Sequence, residues 1–209
     1  AGGRGLQRQA CILKTRSEQH GLPVFTPAAA SEESFVARMA ALNPDLIIVA
    51  AYGQFLKSNL LAVPRLGAIN VHPSLLPKYR GASPIQWALA NGDEQTGVSV
   101  LYVTPRMDAG DVLAQAPHPI APEDTFCTLE PKLAALGAQL LQEVLDGFRA
   151  GRTQGVPQDE AQVTLARKLT KDDGRVDWSL PAATIRNRLR GFMPWPGAFT
   201  VLPGGLLLK

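Results

Sequence analysis

Asn70, His72 and Asp108 are the residues whose types and spacing suit a chemical step. The first two lie in Asn70-Val-His-Pro-Ser-Leu-Leu-Pro-Lys-Tyr-Arg-Gly81, the third in Met107-Asp-Ala-Gly-Asp111. A side-chain amide can hold a developing oxyanion, and an imidazole can move protons. A carboxylate beside that imidazole would orient it and select its tautomer. Together they suit the passage of a one-carbon acyl group to an amine. Asn70 and His72 are two residues apart, so on a strand both side chains face the same way. Pro73 then fixes the chain direction.

Other chemistries find less support. His72 and Asp108 could be metal ligands with His118 or His20 as a third, but no His-x-x-x-His or Cys-x-x-Cys spacing is present. Ser74 lacks the Gly-x-Ser-x-Gly elbow of a hydrolase nucleophile. Gly2, Gly3 and Gly5 do not match a phosphate-binding loop. Asp93 and Asp111 read as turn residues. No metal is expected.

The elements that must position the trio alternate between helix and strand. Residues 11–20 read as a helix stopped by Gly21, and 22–25 as a short strand ended by Pro27. A helix is expected over 31–42, with Phe35, Val36, Met39 and Leu42 on one stripe. The run Leu46-Ile-Ile-Val-Ala-Ala51 has the composition of a strand buried on both faces of a parallel sheet. Residues 68–71 form a second buried strand, followed by a helix over 84–90. Segments 97–103 and 112–116 form a hairpin around 104–111. An amphipathic helix runs over 128–148, with Leu129, Leu133, Leu136, Leu140, Val144 and Phe148 facing the core and Pro131 assigned to its first turn.

This alternation implies an α/β domain with a Rossmann-like, mostly parallel sheet and flanking helices. Ligands in such sheets sit beyond the carboxyl ends of the strands. Asn70 and His72 lie where the 68–71 strand runs out. Residues 1–149 are read as the catalytic domain and 150–175 as a polar linker. Residues 176–209 are read as the start of a C-terminal β-barrel domain, with a basic helix over 184–192, a stiff Met193-Pro-Trp-Pro-Gly197 turn and a hairpin around Pro203-Gly-Gly205.

Of the 209 residues, 45% are apolar and 19% charged, proportions that exclude a disordered chain. No apolar run approaches the length that crosses a bilayer, so no membrane partner is expected. Cys11 and Cys127 have neither redox nor metal spacing and suit a reducing compartment. The net charge of +3 is concentrated in Arg4, Arg8, Lys14 and Arg16 and in Arg167, Lys168, Lys171, Arg175, Arg186, Arg188 and Arg190. Such clusters could attract a polyanion such as nucleic acid, but on charge alone solvated faces are the favoured reading.

The Asn70–Gly81 stretch, with Asp93, Gly97 and Met107-Asp-Ala-Gly-Asp-Val-Leu113, resembles the formyltransferase family that uses 10-formyltetrahydrofolate. The segments Pro157-Gln-Asp-Glu160, Ala166-Arg-Lys-Leu-Thr-Lys-Asp-Asp173, Val176-Asp-Trp-Ser179 and Pro194-Trp-Pro-Gly-Ala-Phe199 resemble the branch whose acceptor is initiator methionyl-tRNA. Gly3-Arg-Gly5 is similar to a loop of that branch, with an extra Gly beside Arg4. The resemblance implies that Asn70, His72 and Asp108 are catalytic. It implies that Ser74, Leu75, Leu76 and Pro77 lie against the folate, and that Tyr52, Gly53, Gln54, Phe55 and Leu56 line the pterin pocket through their main chain. It also implies that Arg4 approaches the acceptor end of the tRNA, and that the enzyme is a cytoplasmic or organellar monomer.

Family members begin with a strand, helix and strand before the Gly-Arg-Gly loop, a unit of about 30 residues or more. The expectation is therefore a fragment whose sheet has a gap, poorly stable and inactive by itself. Two rivals remain open: a formyltransferase acting on a nucleotide-linked amino sugar, and a folate-binding module without turnover.

Overall fold

A computed structural model describes residues 10–209. Within them a four-stranded sheet has the order β1-β2-β4-β5. Its strands are β1 (Ile47–Ala50), β2 (Ala68–His72), β4 (Gln95–Tyr102) and β5 (Val112–Pro119). β1 and β2 run parallel, with Val49 opposite Asn70. β2–β4 and β4–β5 are antiparallel, the latter being the hairpin expected from the alternation. The expected gap is absent among the described strands, because β1 and β2 pair directly.

The described residues also form six α-helices: α1 (Ile12–Gln19), α2 (Glu33–Ala41), α3 (Ser58–Leu61), α4 (Pro84–Asn91), α5 (Phe126–Arg149) and α6 (Ala182–Phe192). α5 begins with a capping box in which Thr125 and Thr128 satisfy each other's main-chain amides. Its Leu129, Leu133, Gly137, Leu140 and Val144 are buried against Ile69, Val98 and Val100 of the sheet, with Leu136 and Phe148 packed alongside. Gly137 is required here, since a Cβ would come within 2.9 Å of Val71. The helix starts earlier than the pattern suggested. Pro131 is thus the sixth helical residue, in the second turn rather than the first, and the Cys127 carbonyl loses its donor there.

Three further expectations are corrected. β1 is not buried on both faces. Ile47 and Val49 pack with Phe35, Val36 and Met39 of α2, while Ile48 stays 45% exposed, because β1 is the terminal described strand. Residues 22–25 form no strand: Pro23 lacks a ladder donor, and Phe25 packs on Phe35 under the Arg38 guanidinium instead. Residues 150–173 are not a free tether. They contain β6 (Leu165–Ala166), which pairs in parallel with β3 (Arg80–Gly81), and two 3-10 turns, Glu160–Gln162 and Lys171–Gly174. The chain closes with the hairpin of β7 (Thr200–Val201) and β8 (Leu207–Leu208), as the Pro-Gly-Gly turn predicts.

Candidate functional site

The trio converges. Asn70 and His72 leave β2 on the face opposite Ile69 and Val71, and the turn after β4 brings Asp108 over them. Asn70 Nδ2 lies 3.4 Å from Asp108 Oδ1, and His72 Nδ1 lies 3.7 Å from Asp108 Oδ2. The His72 side chain is 5% exposed and that of Asp108 15%, so little water comes between them. The Gly81 amide donates to Asp108 Oδ2 at 2.9 Å and anchors the carboxylate.

His72 is oriented by a group that sequence reasoning missed. Its Nε2–H donates to the Tyr79 carbonyl at 2.9 Å. A carbonyl only accepts, so the Nε2 proton is obligatory and Nδ1 is the nitrogen turned towards Asp108. At 3.7 Å the carboxylate is beyond hydrogen-bond reach of Nδ1. The main chain of Tyr79, rather than Asp108, therefore selects the tautomer. Tyr79 holds a left-handed φ of 63°, which turns its carbonyl back onto the ring. Its hydroxyl donates to Asp93 and accepts from Asn91. Burial pushes the Tyr79 phenol up to about 12; the Asn91 amide pulls against the rise and Asp93 adds to it. Asp93 thus fastens Tyr79, a more specific task than a turn.

The loop between His72 and Gly81 is tied from two directions. From the hairpin, Ser99 Oγ donates to the Ser74 carbonyl and accepts from the Leu76 amide, while Gln115 donates to the Leu76 carbonyl. From the segment after α5, Thr164 accepts from the Tyr79 amide through its hydroxyl and from the Arg80 amide through its carbonyl. Gly81 sits at φ 125°, and a Cβ there would lie 2.6 Å from the Ala166 carbonyl. Only glycine lets this strand pass and still aim its amide at Asp108.

The expected folate contacts divide by burial. Ser74 is fully buried and donates its hydroxyl to the Lys78 carbonyl; Leu76 is also buried. Leu75 and Pro77 are half-buried. Residues 51–55 leave the carboxyl end of β1 beside the end of β2, and Tyr52 and Phe55 are exposed there. Gln54 is tied to the main chain of Ala28 and Ala30, while Leu56 turns inward against Ala30 and Leu60. Arg4 lies outside the described residues. Among those described, no cluster of three or more His, Cys, Asp or Glu is arranged to hold a metal ion, and no helix is long and apolar enough to cross a membrane.

Residues 1–145 match the model of the formyl transferase family, and residues 168–208 match that of the formyl transferase C-terminal domain. The chain belongs to the formyl transferase family. Among curated formyl transferases, it is 48% identical over 205 residues to methionyl-tRNA formyltransferase of Anaeromyxobacter sp. (strain K), covering 98% of this chain. It is 45% identical over 205 residues to the enzyme of the same name from Methylococcus capsulatus. The chain spans 66% and 67% of those two relatives' lengths.

Proteins of known structure share the fold at lower identity. A 4-N formyltransferase from Francisella tularensis superposes with a TM-score of 0.76 at 14% identity, covering 94% of this chain and 79% of its own. HypX from Aquifex aeolicus, solved with tetrahydrofolic acid, gives 0.70 at 23% identity, covering 82% of this chain and 30% of its own. At such identities the likeness concerns the fold alone. With these solved folds, the pairing of one parallel and two antiparallel neighbours in the described sheet is the Rossmann-like α/β architecture of the family.

Proposed function

We propose that this chain is part of an enzyme that transfers the formyl group of 10-formyltetrahydrofolate to the α-amino group of initiator methionyl-tRNA, a step of translation initiation. The observation that carries the choice of acceptor is the 48% identity to a methionyl-tRNA formyltransferase over 205 residues, running through the strap after α5 and the final hairpin as well as the trio.

The site residues have the chemistry for it. An α-amino group titrates near about 7.7 to 8.0, so a free amine is accessible at neutral pH. When it adds to the formyl carbon, the carbonyl electron pair moves onto oxygen. Asn70, whose second amide N–H is not used by Asp108, donates to that oxyanion. A proton on His72 Nδ1 donates as well, with the Asp108 carboxylate behind it. Expulsion of the folate nitrogen then breaks the old C–N bond. That nitrogen takes a proton and the acceptor amine loses one, so His72 and Asp108 relay a proton with no net change. Leu75, Pro77, Tyr52 and Phe55 offer apolar surface for the folate, and Ser74, Leu76, Gly53, Gln54 and Leu56 contribute through main chain or through packing beneath it. Arg4 reaches the tRNA acceptor end.

The proposed enzyme is a monomer acting where translation starts, in the cytoplasm or an organellar matrix. For the full-length protein, residues 1–149 are assigned to the catalytic domain and 176–209 to the start of the C-terminal domain, with the segment between them packed on the former through β6. The deciding assay offers that protein 10-formyltetrahydrofolate with charged initiator tRNA or with a nucleotide-linked amino sugar. Formylation of the tRNA alone is expected. Formylation of the sugar alone, or folate binding with no transfer to either, would overturn the reading.

A further inference from the structure

The segment after α5 reaches the trio from behind. Gln158 Nε2 donates one N–H to the Asp108 carbonyl at 2.7 Å and the other to the Gly110 carbonyl at 2.8 Å. Its Oε1 accepts from Arg80 Nε at 2.9 Å. The amide orientation is forced, since two carbonyls face one end and a guanidinium the other. Arg80 is 4% exposed and held in turn by Glu160, whose two oxygens accept from Nη1 and Nη2 at 3.3 and 3.1 Å. Those bonds from Arg80, with help from Arg106, hold the Glu160 carboxyl below the usual range.

The target of this clamp is a strained residue. Asp108 has φ 47°, a left-handed conformation that costs free energy outside glycine. The loop cannot slide away on the β4 side, because Gly110 already lies so close to the Tyr102 carbonyl that even a Cβ there would clash with it. Two fastenings then define where the carboxylate points. The Gly81 amide holds its oxygen, and Gln158 holds the carbonyls on either side of Ala109. Arg80 joins them, since it precedes Gly81 in the chain and orients Gln158.

We infer that Gln158 is a positioning residue for the formyl-transfer step: it keeps the Asp108 turn in its left-handed form so that the carboxylate stays against His72. This rests on the proposed role of Asp108. In the full-length protein, Gln158→Met fills a similar volume without the two donors. It is expected to lower kcat about 100-fold, as a displaced catalytic group does, with KM for 10-formyltetrahydrofolate within about twofold. Gln158→Ala should behave alike.

The discriminating measurement is a double-mutant cycle with Asp108→Ala. If Gln158 acts through the carboxylate, its loss costs no more than about threefold further once Asp108 is gone. An undiminished loss in that background means a general structural role and overturns the inference, as does unchanged kcat in Gln158→Met. Failure of both Gln158 variants to fold also counts against it. Full activity of Asp108→Ala alone would instead strike the trio assignment itself, and the clamp with it.

Discussion

The Tyr79 carbonyl accepts the Nε2 proton of His72 at 2.9 Å, and that single contact decides which ring nitrogen faces Asp108. Nδ1 is left facing Asp108 and Asn70. In ¹⁵N-resolved NMR of the full-length protein, the neutral His72 ring should be the Nε2–H tautomer. A neutral Nδ1–H form would require the ring to be turned and would remove the proposed donor.

Each trio member should matter to turnover more than to folate binding. Asn70→Ala, His72→Ala and Asp108→Ala are each expected to lower kcat by about 100-fold or more, roughly 3 kcal/mol of barrier for an oxyanion donor. Dissociation constants for the folate, measured by calorimetry, should change far less. A variant with normal turnover would remove that residue from the mechanism.

Gly81 is the position where backbone freedom and the anchoring of the Asp108 carboxylate coincide. Gly81→Ala must leave φ 125° or push against the Ala166 carbonyl, at a cost of about 1–3 kcal/mol. Either response moves the amide away from Asp108. Chemical denaturation should show the loss of stability, and kcat should fall with it.

Acid sensitivity should reside partly in the Arg167–Asp173 pair. Asp173 accepts from Arg167 Nη1 at 2.8 Å and from the Thr170 amide and hydroxyl. Arg167 above all, then Thr170, holds the Asp173 carboxyl well below the usual range, against the opposing effect of burial. A depressed folded-state value means that the unfolded chain takes up the proton first. The pair's stabilisation is therefore complete above the ordinary Asp range near about 3.9 and is lost as pH falls below it. Asp173→Asn should lower Tm by about 5 °C at pH 7, with the gap to wild type narrowing below about pH 4. A gap independent of pH would assign the effect to packing.

Much of the scaffold was legible because it rests on local pattern. The stripe from Leu129 to Val144 repeats at helical spacing, and the run at 47–50 and the alternation at 97–116 are strand signals whatever surrounds them. Asn70 and His72 could be paired from strand periodicity alone. The segment 22–25 misled because an apolar stretch holding Pro23 suits a coil packed on Phe35 as well as a strand. The exposed side of β1 was equally hidden: composition reports that a strand suits burial, not which neighbours cover it.

Residue types and short-range spacing by themselves determined the amide, the imidazole and the family motif, since these are properties of consecutive positions on one strand and loop. Only the tertiary structure decided that Asp108 reaches them, that Tyr79 selects the His72 tautomer, and that Gln158 and Arg80 brace the turn. Those contacts join positions up to 78 residues apart through single main-chain and side-chain hydrogen bonds. Such bonds carry no periodicity and little apolar area, so they exist only once the sheet and its strap have folded against each other.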